Sequence, residues 1–165
     1  MIKQPYFCAF SKCRRYRYVW RDVWDGCLPP CAFIGLNPST ADEAGPDPTA
    51  KRCINYAKSW SFGALVMLNL FAFRATDSRK MLIEKNPIGE KNDPWILREV
   101  SGIISTHGGM VIAAWGNYGT HFQRGAEVRR LLSGELRYLT LNESGEPGHP
   151  LYLKSNLKPI RWGPY

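Results

Sequence analysis

The chain has 165 residues, 44% of them apolar, and a formal charge of +8 from 22 Lys and Arg against 14 Asp and Glu. That length suits a single domain with a real core. No apolar run reaches membrane-spanning length and the N-terminus lacks the apolar heart of a secretory signal, so a cytoplasmic protein is expected.

Residues 1–30 are basic and aromatic. Tyr16, Tyr18 and Trp20 alternate with Arg15, Arg17 and Arg21, a period of two that predicts a strand with one aromatic and one cationic face. Two readings stand side by side: an edge strand kept soluble by arginines, and a strip that contacts phosphates. The second agrees with the net charge, because binding a polyanion releases its condensed counterions. Cys31 to Leu36 is a short apolar run that reads as a buried strand delivering a loop to an open edge. Pro38 lacks a backbone donor, so the chain leaves the sheet there and Asn37 is left at the strand's carboxyl end. The loop 37–46 carries Asp42 and Glu43.

Asp47-Pro48 predicts an N-cap followed by proline in the first helical turn. That helix runs to about Trp60, with either Ile54, Ala57 and Trp60 or Cys53, Tyr56 and Trp60 on its packed side. Ala64 to Leu70 is a second apolar run, interrupted by Asn69 and followed by Phe71, Phe73, Arg74 and Thr76. An asparagine in such a run needs hydrogen-bond partners, and tying down a loop would satisfy it. Residues 77–93 read as a long excursion. Asp93-Pro94 opens a helix that ends near Gly108-Gly109. Met110 to Ala114 is a third strand, closed by Trp115-Gly116-Asn117. A helix from about Gly119 to Ser133 and a fourth strand from Leu136 to Leu141 follow. The loop 142–150 carries His149.

Strands and helices alternate, which predicts an α/β/α sandwich around a central parallel four-stranded sheet, in one domain spanning residues 1–165 with residues 1–30 packed on it. The carboxyl ends of parallel strands share one edge. That edge would gather Asn37, Asn69, Trp115-Gly116 and His149. No Gly-x-Gly-x-x-Gly, Walker or Gly-x-Ser-x-Gly pattern occurs. The three histidines, His107, His121 and His149, are too few for a metal cage. Five cysteines read as free thiols, the alternative being a metal or iron–sulfur site made by Cys8, Cys13, Cys27 and Cys31. No metal or other cofactor is expected on the first of these readings.

Gly35-Leu36-Asn37-Pro38, the run ending in Asn69, the run ending in Trp115-Gly116, and Gly148-His149-Pro150 occur in that order. The set resembles the uracil-DNA glycosylase superfamily, with its Gly-x-Asp/Asn-Pro loop, base-reading Asn, Trp-Gly strand end and His-Pro loop. Nearly the whole chain is also similar to a bacterial domain family of unknown function. That likeness rests on Gly-Leu-Asn-Pro-Ser-Thr-Ala-Asp at 35–42, Asn-Leu-Phe-Ala-Phe-Arg-Ala-Thr at 69–76 and His-Pro-Leu-Tyr at 149–152.

The first resemblance implies a glycosylase-like fold and a monomer that extrudes a nucleotide from DNA and cuts its N-glycosidic bond. It implies that Asn37 holds the attacking water, that His149 donates to the departing base and that Asn69 reads the base's polar edge. Asp42 or Asp47 would be the base, because an asparagine positions water without taking its proton. A purely structural role, His149 ordering its own loop for instance, is the alternative at each of these positions. Gly35, Leu36, Pro38 and Ser39, with Asn69, Phe71 and Arg74, would form the base pocket. Arg15, Arg17, Tyr152 and Lys154 would contact DNA, with Leu151 to Leu153 available to fill the vacated stack.

Ser39 departs from the superfamily pattern. Uracil-specific members carry a tyrosine there that blocks the pyrimidine 5-position. The serine implies a base enlarged at that position, such as glucosylated hydroxymethylcytosine in phage DNA. Alternatives are uracil excision, a catalytically inactive nucleotide-binding module, and hydrolysis of free nucleosides.

Overall fold

The computed structural model describes residues 6–163, so residues 1–5 of the N-terminal segment lie outside the described residues. The strands are β1 (Phe7–Phe10), β2 (Arg17–Val23), β3 (Pro30–Gly35), β4 (Ala64–Asn69), β5 (Met110–Ala113), β6 (Leu136–Tyr138) and β7 (Ile160–Arg161). The helices are α1 (Pro48–Ser59), α2 (Ser78–Leu82), α3 (Asn92–Ile104) and α4 (Arg124–Leu131). All seven strands form one sheet in the order β1-β2-β4-β3-β5-β6-β7. The class is mixed α/β.

β4, β3, β5 and β6 are parallel neighbours, while β2, β1 and β7 join antiparallel. The four parallel strands expected at the centre are β3, β4, β5 and β6, and the sheet as a whole is corrected from four strands to seven. Residues from 7 to 23 do not merely pack on the domain but extend its sheet. The alternation over residues 15–21 marks β2 as a strand, but its pairing with distant β4 leaves no local signature, and β1 and β7 are too short to show a period.

Strict alternation divides the central strands between two cores. Ala32, Ile34, Val66, Leu68, Val111 and Ala113 face α3 and α4, through Ile96, Val100, Ile103, Val128 and Leu132. Phe33, Leu65, Met67 and Ile112 face α1, through Ala50, Cys53, Tyr56 and Ala57. The second of the two packed faces expected for α1 is thus observed, with Ala57 added. Asp47 caps α1 as expected: its Oδ1 accepts from the Ala50 amide at 2.8 Å, and Pro48 occupies the first turn.

Four local expectations are corrected. Arg17, Tyr18 and Trp20 do not obey a period of two. Ala9 pairs with Val19 but Phe10 pairs with Arg17, leaving Tyr18 without an opposite residue. This bulge sends Tyr18 and Val19 into one core and Trp20 into the other. The helix expected from Gly119 begins instead as a 3₁₀ stretch, Asn117–Gln123, broken by positive φ at Phe122 and Gln123 before α4 starts. β6 ends at Tyr138 rather than Leu141. Within the excursion 77–93 lies the short α2, capped by Asp77.

Candidate functional site

The connection after β3 passes to one face of the sheet, and those after β4 and β5 lead to helices on the other. Loops that part in this way leave a crevice at the carboxyl ends of the strands. A cavity of about 760 Å³ lies there, lined among others by Gly35, Leu36, Asn37, Ser39, Asn69, Trp115, Gly116 and His149. Antiparallel β2 runs the opposite way, so its first residue, Arg17, reaches the same rim and also lines the cavity.

The first loop is stitched to the segment after β4. Leu70 and Phe71 donate to the Gly35 and Leu36 carbonyls, and Ala75 donates to that of Pro38, each at 2.9 Å. The Asn37 amide Nδ2 donates to Ala75 O at 2.9 Å and Pro38 O at 3.2 Å. This holds the side chain in place and leaves its Oδ1 as an acceptor in a cavity-lining group.

Asn69 is 3% exposed, and its Nδ2 has no hydrogen-bond partner among the described residues. A Cβ at Gly35 would lie 3.0 Å from Asn69 Oδ1, so glycine is what lets this side chain sit across β3. Two helices brace Asn69 from behind. Asn92 Nδ2 donates to the Asn69 and Leu70 carbonyls at 3.0 Å, and Arg124 Nε donates to Leu70 O at 3.0 Å. Arg124 is fully buried and paired with Asp93 and Glu127.

Trp115 is buried and its indole N–H donates to the Glu146 carboxylate. Gly116 N donates to Pro147 O at 2.8 Å. These bonds latch the loop after β5 to the loop bearing His149. The His149 Nδ1 accepts from the Leu151 amide at 3.4 Å, which assigns the ring proton to Nε2. Burial holds its pKa below the usual 6.5, with the Asp47 carboxylate opposing the shift, so the ring is a neutral donor at pH 7.

Asp47 lines the cavity, but its two oxygens accept from Ala50 N and, at 3.3 Å, from Ala41 N. Asp42 is not part of the lining. Its carboxylate accepts from Ala44 N within a tight turn, because the chain reverses between Asp42 and Gly45. Phe71 is fully buried against the His121 ring, away from the cavity. Pro38 is buried and holds the loop through its carbonyl.

Arg74 instead lines a second cavity of about 540 Å³ with Thr40, Lys80 and Glu84. Ser39, Ala75 and Thr76 belong to both linings. Arg15 is exposed and paired with Glu84. Tyr152 is 84% exposed at the mouth, packed against His149, and Lys154 is exposed beyond it. Sequence reasoning missed Tyr118, Asn117 and Asn142, which also line the cavity. Only their nearness to Trp115-Gly116 and His149 in the chain hinted at this.

The five cysteines form no disulfide, and no group of three or more His, Cys, Asp or Glu among the described residues is placed to hold a metal ion. In comparison with known families, the one described as a protein of unknown function (DUF1643) matches residues 17–151, well over half of the chain. No curated protein and no solved structure matches it.

Proposed function

The chain belongs to the DUF1643 family, and we propose that it is a DNA glycosylase that extrudes a 5-substituted pyrimidine from DNA and hydrolyses its N-glycosidic bond. One observation carries this reading: Asn37, Asn69, Trp115-Gly116 and His149 line a single cavity at the carboxyl ends of parallel strands. These are the motifs whose order resembles the uracil-DNA glycosylase superfamily. Exposed Tyr118 and Tyr152 at the mouth offer stacking surfaces, and the charge of +8 favours a polymeric polyanion over a free nucleoside.

In this reading the held Asn37 presents Oδ1 to the attacking water. The Nδ2 of Asn69 donates to a base acceptor, and His149 Nε2–H donates where negative charge gathers as the base departs. Donors aimed at developing charge lower such barriers most effectively inside a cavity that excludes water. An enlarged base is supported by Ser39, Ala75 and Thr76, small side chains common to both cavities. A 5-substituent passing over them would meet Thr40, Lys80 and Glu84, polar groups suited to a hydroxyl-rich sugar.

A nucleotide-binding module without chemistry draws on a different observation. Asp47 is the one carboxylate in the lining among the described residues, and backbone amides occupy both of its oxygens. One assay separates the readings. Duplexes carrying uracil, hydroxymethylcytosine or glucosylated hydroxymethylcytosine are incubated with the protein and abasic sites are revealed by alkaline cleavage. Excision of the glucosylated base, abolished by Asn37→Ala and by His149→Ala while DNA binding persists, is the expected result. Cleavage of uracil alone ends the enlarged-base version, and binding without abasic sites favours the module.

A further inference from the structure

Two arginines are buried to nearly the same degree and are treated differently. Arg124, outside the cavity, is saturated by Leu70 O, Asp93 and Glu127. Arg17 is 2% exposed and lines the cavity. Its guanidinium makes one hydrogen bond among the described residues, from Nη1 to Ala41 O at 2.7 Å, and its Nε has no partner. Asp47 favours its charge but directs its own oxygens to Ala41 N and Ala50 N, while the like charge of Arg74 opposes it. Burial pushes its pKa down to about 10, which leaves it protonated at neutral pH. A buried guanidinium short of acceptors is costly to keep. An arginine serving the fold alone would be dressed as Arg124 is.

We propose that Arg17 is a ligand-binding residue of the cavity, recognising an oxygen that carries or gains negative charge. Resting on the base-excision reading, the primary candidate is a carbonyl oxygen of the departing pyrimidine. As the C–N bond breaks, its electron pair leaves with the base and spreads onto that oxygen. A C–O bond forms from water to the anomeric carbon, and the water's proton ends on the base. A phosphate oxygen of the extruded nucleotide offers Arg17 the same chemistry.

The test compares wild type, Arg17→Gln and Arg17→Lys in single-turnover excision and in duplex binding, after circular dichroism has established folding. Target pyrimidines carry electron-withdrawing or electron-donating 5-substituents. Arg17→Gln is expected to slow excision by about 100-fold, with a larger loss for the poorer leaving base, and Arg17→Lys to recover part of it. A loss that is equal across bases and appears in duplex affinity assigns the phosphate instead. Rates and affinities of Arg17→Gln within twofold of wild type overturn the proposal, and Arg17→Met is read in the same way should Arg17→Gln not fold. If wild type excises nothing, the base-excision reading falls. Arg17 is then judged by ligand-observed NMR with thymidine and thymidine 5′-monophosphate, where unchanged binding in the variants, or none in wild type, overturns the assignment.

Discussion

Cys13 and Cys31 share a side chain and differ in everything around it. Cys13 is exposed, and a hydrogen bond with Ser11 lowers its pKa. Burial raises the thiols of Cys31 and Cys53, and pushes half-buried Cys8 up to about 11. Because the thiolate is the reactive form, Cys13 is expected to consume a disulfide reagent first, and Cys31 and Cys53 only after denaturant is added. Thiol titration with peptide mapping reads this, and native-state labelling of Cys31 as fast as Cys13 contradicts it. For His149 the sign follows from its lowered pKa. Between that value and 6.5 the unfolded chain binds more protons than the folded one, so the stabilisation is full above 6.5 and lost as pH falls through the folded value. An NMR titration should place the imidazole midpoint below 6.5, and a midpoint above it refutes the burial argument. At this scale the sequence pointed to Asn37, Asn69 and His149 because each follows an apolar run or sits in a Gly/Pro loop. It could not reveal that Arg17 is buried, since a bulge at Tyr18 breaks the alternation on which the cationic face was read.

Elements with local punctuation were the readable ones. Asp47-Pro48 marks the start of α1, and the runs ending near Gly35, Asn69 and Ala113 are apolar on both faces, as strands covered on both sides must be. Of the antiparallel strands, β2 was readable as a strand though not by its faces, while β1 and β7, four and two residues long, carry too little pattern to read. α4 was read as a helix but not where it starts, because that start depends on two left-handed residues, Phe122 and Gln123, that lack glycine's usual signal. Fastening between elements is likewise a tertiary matter. Asn92, at the start of α3, is fully buried and bonds the carbonyls of Asn69 and Leu70. Asn92→Ala should cost about 1–3 kcal/mol in urea unfolding, the usual toll of losing buried hydrogen bonds. It should also weaken ligand binding at the cavity, whose Asn69 it supports. Unchanged stability would show that α3 does not brace the end of β4.

For the molecule as a whole, the charge of +8 makes a quantitative demand. If the partner is DNA, log affinity should fall linearly with log salt, with a slope of about −3 or steeper as several phosphates are neutralised. Fluorescence anisotropy across salt concentrations measures it, and a flat line would mean an uncharged ligand. The α/β class was legible as a whole, because alternating strand and helix signals admit few other arrangements. The reach of the N-terminal strand into the site was not. Arg17 and Leu153 both border the cavity, 136 positions apart as 153 − 17, with every parallel strand beginning between them. A growing polypeptide therefore completes this lining only once synthesis has passed Leu153. Fragments ending short of that residue lack part of the lining and should hold the ligand more weakly than the chain that includes it.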